Sequence, residues 1–389
     1  MELKVQKAAL KSAVSSSKKG LSRVVIQEER GHLLFQVQGN TLCISGTNND
    51  LKARSSLAVE NVSGEDFEFT ADPKILEKVL IKTDLDVLRI QYDPETVTIK
   101  VYTSESGKSF ASLQAFPADK MLTFKIPAEE DRKETVVDTA VMVFTLGYAS
   151  SFLADIKDDQ KQFDFIVIDK GIVFSANGAN KMGFIVFKDF EAVREFKIRK
   201  AVVSILKSFC EGLKEESIVL VESENDIGVR NVDGSMYLSW LKSNTQTIPF
   251  PKEHIKSEGP YTRIDKDALV KVTERLIAGA PANSRSGIEI TLSGEGEDAA
   301  LDVALLSSLN SNENMPCARV NDPSTERISH VLDYKIFKSV LTSFKSSEEV
   351  RLHINDEGNF YKVYNKGDVN GHKYVLAAIG SYAKKIKKG

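Results

Sequence analysis

The sequence predicts an α+β fold: three like modules in a row, each running helix–strands–helix–strands with mostly antiparallel sheets. Three observations predict it. One block of pattern recurs three times at a spacing of roughly 130 residues, a usual domain size. Amphipathic helices and alternating apolar strands follow one another in the same order in each block. A chain of 389 residues with 42% hydrophobic and 28% charged side chains is globular and too long for a single core.

The first module opens with a helix over 3–19, then strands in HLLFQVQ and NTLCISG (32–46). The second opens with a helix over 136–154 and strands FDFIVID and GIVFSAN (163–177). The third has a helix over 265–279 and strands GIEITLS and AALDVAL (287–305). The rear halves repeat more strongly: TADPKILEKVLIKTDLDVLRIQYDPETVTIKV (70–101), FKIRKAVVSILKSFCEGLKEESIVLVESENDIGVR (196–230) and VLDYKIFKSVLTSFKSSEEVRLHINDEGNFYKVY (331–364). Each reads as an amphipathic helix, a polar break, a strand, an acidic or Asn-rich turn and a further strand. One last strand closes each module, in SFASLQAF (109–116), SMYLSWL (235–241) and HKYVLAAI (372–379). IPAEEDRKET (126–135) and FPKEHIKSEGPY (250–261) read as linkers, which sets domains at 1–126, 133–252 and 260–380 and leaves a basic tail at 381–389. Asp72-Pro73 and Asp265 supply ordinary helix starts.

With 52 basic and 55 acidic residues the net charge is −3, so any charge-based function rests on placement. The basic residues fall in helical stripes: Lys4, Lys7, Lys11, Lys18 and Lys19; Lys74, Lys78 and Lys82; Lys200 and Lys207; Lys271 and Arg275; Lys335, Lys338 and Lys345. Acids gather in turns instead, at Glu60 to Asp66, Glu129 to Asp131, Asp155 to Asp159 and Glu295 to Asp298. Lysine faces solvent on any helix, so one stripe is ordinary; five stripes on a shared surface would bind phosphates without reading bases. The remaining helix, over 136–154, has no basic residue, and charge does not account for it.

No catalytic arrangement stands out. Gly107-Lys108-Ser109 lacks the earlier glycine of a phosphate loop, because position 102 is Tyr, and its flanks read as a hairpin. The five histidines form no metal-ligand spacing, and no Gly-x-Ser-x-Gly or Gly-x-Gly-x-x-Gly follows a strand. Neither a metal nor a cofactor is predicted. Cys43, Cys210 and Cys317 are too few and too scattered for a disulfide framework. With no signal-peptide core and no run of ~18 apolar residues, the expected location is the cytoplasm, with no membrane contact.

NTLCISGTNNDLKARSSLAVE (40–60), DPKILEKVL (72–80), GIVFSANGANKM (171–182), FPKEHI (250–255) and HKYVLAAI (372–379), in this order within three modules, resemble the bacterial-type sliding clamp, the beta subunit of DNA polymerase III. The resemblance spans nearly the whole chain; each motif alone is degenerate. It implies a head-to-tail homodimeric ring with sheets outside and helices lining a central hole. The ring would encircle double-stranded DNA without sequence preference and act as a non-enzymatic processivity factor in replication. The basic stripes, fourteen lysines and one arginine, would then be the DNA-facing residues.

The resemblance further implies partners: a DNA polymerase, a clamp loader and other proteins carrying a clamp-binding motif. Their peptide would enter a pocket formed by Phe163, Asn177, Gly178, Met182, Pro251, Val375, Leu376, Ala377 and Ile379. It places the ring interface near Phe110 and near Leu276 and Ile277. Ala179-Asn180 and Ala378 depart from the family pattern, and so does the lysine-rich extension after Ile379, which is expected to be a solvated terminus, with a disordered basic arm touching DNA or a partner contact as the alternatives. These departures suggest a divergent, phage-encoded or mobile-element member. The competing expectation is a repeat-built interaction scaffold, such as a phage structural protein, that does not encircle DNA.

Overall fold

The computed structural model describes the chain except for residues 22–30, 49, 122–125, 154–163, 178–180, 188–189, 244–259, 279–286, 307–310, 322–326, 344–348, 355–359, 366–371, 381–382 and 388–389; beyond residue 352 it describes backbone only. The first third of the chain forms β1 (Glu2–Gln6), α1 (Lys7–Ser17), β2 (Leu33–Gln38), β3 (Thr41–Thr47), β4 (Leu51–Ala58), β5 (Glu60–Asn61), β6 (Phe67–Ala71), α2 (Pro73–Lys82), β7 (Val87–Asp93), β8 (Thr98–Tyr102) and β9 (Phe110–Gln114). The middle third forms β10 (Arg132–Asp138), α3 (Thr139–Ser150), β11 (Phe165–Asp169), β12 (Ile172–Asn177), β13 (Lys181–Phe187), β14 (Phe196–Arg199), α4 (Lys200–Leu213), β15 (Ser217–Ser223), β16 (Asp226–Arg230) and β17 (Met236–Leu241). The last third forms β18 (Tyr261–Asp265), α5 (Lys266–Ala278), β19 (Gly287–Ser293), β20 (Ala300–Leu305), β21 (Asn312–Pro316), β22 (Ala318–Val320), β23 (Arg327–Asp333), α6 (Tyr334–Ser343), β24 (Glu349–Ile354), β25 (Phe360–Asn365), β26 (His372–Gly380) and β27 (Ala383–Lys387).

The threefold order is present, with three corrections to the sequence reading. Each third begins with a strand, not a helix. Leu3 and Val5 are buried while Glu2 and Lys4 are not, a period of two that continues into the 3.6 period of α1. A second strand (β6, β14 or β23) precedes each rear helix. The basic tail is not a free arm: β27 pairs antiparallel with β23, Lys385 opposite Ser329 and Lys387 opposite Arg327.

The contacts divide the chain into two compact units, Met1–Ala140 with Ser204–Ser243 and Val141–Val203 with Asn244–Gly389. Unit one holds the sheets β5-β1-β7-β8-β9 and β10-β15-β16-β17-β4-β3-β2-β6. In the larger sheet the closing strand of the middle third, β17, zips onto β4, with Trp240 opposite Leu51 and Leu238 opposite Ala53. The core of the first third gathers Leu3, Val5, Leu10, Val14, Phe35, Ile44, Phe69, Leu76, Leu80, Leu88, Ile90, Ile99 and Val101, with Phe35 stacked on Phe69 at 4.8 Å. Helix α1 and the turn after it lie close on the sheet because two glycines allow it. A Cβ on Gly20 would overlap the Gly46 carbonyl, and one on Gly46 would overlap the Ser17 carbonyl.

Unit two holds the sheets β14-β11-β12-β13-β26-β25-β24-β18-β22 and β21-β20-β19-β23-β27. Here the closing strand of the last third, β26, zips onto β13. The missing charge on α3 now has a reason. Only Ala140 in it is exposed, while Val141, Met142, Leu146 and Ala149 are buried. Phe144 meets Phe187 edge-on at 6.4 Å, and the ring of Phe152, just past the helix, lies where a Cβ on Gly183 would be. A helix apolar on all sides has no solvent face on which to carry lysine.

Candidate nucleic-acid interface

The basic residues divide into a free set and a committed set. Helix α2 starts on Asp72, whose Oδ1 accepts from the Lys74 amide at 2.7 Å and the Ile75 amide at 3.4 Å, with Pro73 at the first helical position. A cap of this kind contributes about 1 kcal/mol. Pro73, Leu76 and Leu80 turn to the core. That leaves Lys74, Lys78 and Lys82 exposed along the opposite side, and Lys11 exposed on α1, which packs against α2. None of these four has an ion-pair partner among the described residues.

The other candidates in this unit are tied down. Lys4 lies on β1, not on a helical stripe, and pairs with Glu60 at 2.9 Å. Lys7 Nζ donates to the Thr83 carbonyl at 2.9 Å, just past the end of α2, where a cation complements the helix dipole. Lys18 in the turn after α1 pairs with Glu77 of α2 at 2.5 Å. Lys19 lies over the Phe209 ring, 5.7 Å from its centroid, and burial lowers its pKa. The same burial pushes the neighbouring Cys210 thiol up to about 12. Lys207 reaches Glu211 one turn on at 4.0 Å.

In unit two, Asp333 caps α6 by accepting from the Lys335 and Ile336 amides at 2.8 and 3.1 Å, and Asp265 caps α5 through the Ala268 amide at 2.6 Å. Lys338 on α6 pairs with Glu274 on α5 at 2.9 Å. Arg275 is forked onto Glu313 of β21, which holds the Glu313 carboxyl below the usual carboxylate range and raises Arg275. Lys271 and Lys335 are exposed and have no carboxylate partner among the described residues. Lys200 begins α4 and is half-buried; Lys345 lies outside the described residues. No helix among the described residues is long and apolar enough to cross a membrane, and no three His, Cys, Asp or Glu side chains group as metal ligands there. All three cysteines are buried free thiols.

Six of the nine expected pocket residues fall on one stretch of sheet. Asn177 on β12 stands opposite Lys181 on β13, which stands opposite Ile379 on β26; along the same ladder Met182 faces Ala378, Gly183 faces Ala377, Phe184 faces Leu376 and Ile185 faces Val375. Phe163, Gly178 and Pro251 lie outside the described residues. Of the expected interface residues, Phe110 on β9 is 47% exposed, with Tyr102 beside it at 5.9 Å and Lys100 over its ring at 5.3 Å. Leu276 is buried in its own unit and Ile277 is half-buried, so Leu276 anchors α5 and offers no surface.

The partners of these cations are remote in sequence. Glu77, Glu274 and Glu313 lie 59, 64 and 38 residues from the bases they hold.

No protein-family model matches the sequence, and no curated protein matches it. Solved structures do match. The DNA polymerase III subunit beta from Pseudomonas aeruginosa superposes with a TM-score of 0.78 at 15% identity, covering 98% of this chain and 99% of that one. The DNA polymerase sliding clamp from Caulobacter crescentus gives 0.77 at 12% identity, with 98% and 100% covered. The DNA polymerase III beta subunit from Thermotoga maritima gives 0.76 at 12% identity, with 98% and 99% covered. From end to end, the chain has the fold of the DNA polymerase III beta subunit, the bacterial sliding clamp.

Proposed function

We propose that the protein is a DNA sliding clamp. It is a non-enzymatic processivity factor that closes around duplex DNA as a head-to-tail homodimer and tethers a polymerase, its loader and other motif-bearing proteins. The chain then comprises three modules, 1–126, 133–252 and 260–380, and works in the cytoplasm. Whole-length likeness of fold supports this reading.

The observation that carries it is a pair of sheet edges left over by one pairing rule. Closing strands β17 and β26 each pair with the third front strand of the preceding module, β4 and β13. Continuing that rule among the three modules, β9 and β21, the third front strand of the last module, are the two strands to which it assigns no mate. Both are outermost in their sheets. Pairing β9 of one copy with β21 of another satisfies both, and a second such joint closes the dimer.

Other edges carry ordinary protection. β5 and β22 are two and three residues long. β10, β14 and β27 contain lysine or arginine, and on β6 the Thr70 hydroxyl accepts from the Phe116 amide at 2.7 Å and donates to the Phe116 carbonyl at 3.0 Å. β9, reading FASLQ, has no charge and an exposed Phe. The β13–β26 ladder supplies the peptide site in this reading.

Two measurements test the proposal. Molar mass in solution should be twice that of the chain, and protein loaded on nicked circular duplex should be retained until the circle is cut. Retention that survives linearisation would sink ring closure. Leu376→Asp should weaken polymerase binding while leaving retention on the circle intact; equal loss of both would mean the module had unfolded.

A further inference from the structure

We infer that the phosphate contact is concentrated on one helix pair, α1–α2 of the first module, with Lys74, Lys78, Lys82 and Lys11 as its working cations, and that the remaining basic helices contribute little. This rests on the clamp reading for its ligand, the backbone of duplex DNA.

The charge balance of the helix pairs is unequal. From α1 through its following turn to α2 there are seven lysines and one carboxylate, Glu77. Helices α5 and α6 carry five cations against Asp267 and Glu274, and Glu313 from β21 takes Arg275 as well. Helix α3 has no charge, and α4 has two lysines against Glu211.

The commitments sharpen the difference. A lysine already held by a carboxylate must give up that pair to meet a phosphate, and the carboxylate left behind repels the phosphate. Lys18 and Lys338 are in that position, at 2.5 Å from Glu77 and 2.9 Å from Glu274. Lys74, Lys78 and Lys82 are not. They repeat every four residues, so their stems leave the helix about 6 Å apart and span about 12 Å. Three free cations in one row offer several phosphates of a duplex backbone a contact at once. Exposed lysines on long stems keep such contacts loose and exchangeable, as sliding requires.

The test compares equal charge losses. Lys74→Ala with Lys78→Ala is set against Lys271→Ala with Lys335→Ala, all exposed positions, by fluorescence anisotropy on a linear 30-bp duplex (about 30 bp suffices for several contacts per strand) across a salt series. The α2 double should weaken binding about tenfold or more and reduce the salt slope by about two, the loss expected for two phosphate contacts. The α5–α6 double should change affinity less than about threefold. Glu77→Gln, which releases Lys18, should tighten binding. Equal losses in the two doubles, or a larger one in α5–α6, overturn the assignment. Retention of the unaltered protein on circular duplex is read in parallel. If retention fails while the α2 double still loses linear binding, the clamp reading falls and this assignment stands; if retention holds and the doubles lose equally, the reverse is true.

Discussion

Closing strands β17 and β9 occupy the same place in successive modules and meet different fates. β17 is stitched to β4 by a ladder extended at both ends, Ser56 N to Ser235 O at 2.7 Å and Leu241 N to Asp50 O at 3.2 Å. Tyr237, Leu238 and Trp240 are buried there, and Lys52 clasps Asp226 across the joint at 2.8 Å. β9 ends its sheet with Leu113 buried behind it and Phe110 half in water. The fold uses the same strand once to join modules within a chain and once as a free end. In the proposed ring, the difference between a finished joint and an unfinished one lies in whether the matching front strand belongs to the same polypeptide.

The finished joint should be the costliest place to cut. Trp240→Ala removes a fully buried indole where β17 meets β4 and should destabilise by about 3–5 kcal/mol. Urea unfolding followed through unit one would register it, and a change below about 1 kcal/mol would mean that the joint is not part of the cooperative core.

The unfinished joint should respond in association, not in folding. Phe110→Asp places a charge on an edge strand that otherwise has none, so subunit affinity should fall at least about a hundredfold, or ~3 kcal/mol. Because Phe110 is half-exposed, the unfolding midpoint of the isolated chain should move little. Sedimentation over a concentration range reads the first effect and thermal melting the second. A dimer that tolerates Asp at position 110 would place its interface elsewhere.

The contrast also marks how far the sequence could be read. Repeats, helices and most strands were legible because periods of 2 and 3.6 are local. The strand β1 looks helical in the sequence because the lysine spacing 4, 7, 11 runs unbroken through the strand–helix junction, while the deciding alternation covers only Leu3 and Val5. β27 looks like a solvated arm in the sequence because AKKIK has a single large apolar residue; its strand character comes from the β23 edge beside it. For the candidate site, the lysine positions were visible and their availability was not. Whether Lys18 or Lys78 is free depends on a glutamate brought in by another element.

A smaller effect belongs to the ion pair inside the finished joint. Lys52 and Asp226 have side chains 25% and 12% exposed, so Asp226→Ala leaves a partly desolvated ammonium without its carboxylate. The loss should be about 1 kcal/mol, and a double-mutant cycle with Lys52→Ala isolates the pairwise part. A coupling energy of zero would assign the joint wholly to its ladder and its apolar side chains.

The smallest effect concerns β10, an edge guarded by charge where β9 is bare. Glu134 accepts from Arg230 at 2.7 and 3.1 Å and lies 2.7 Å from Arg132 Nε. The Arg230 hydrogen bonds, outweighing partial burial, hold its carboxyl below the ordinary value. A depressed folded-state pKa stabilises the protein above the unfolded value of about 4.3 and ceases to do so as pH falls through the folded one. The contribution is therefore complete by about pH 6 and declines below pH 4. Solvent screening limits it to less than about 1 kcal/mol. Urea midpoints for the unaltered chain and Glu134→Gln should differ at pH 7 and converge towards pH 3. A gap that stays constant with pH would show that Glu134 acts through its shape alone, and the guarded edge would then owe its protection to the arginines.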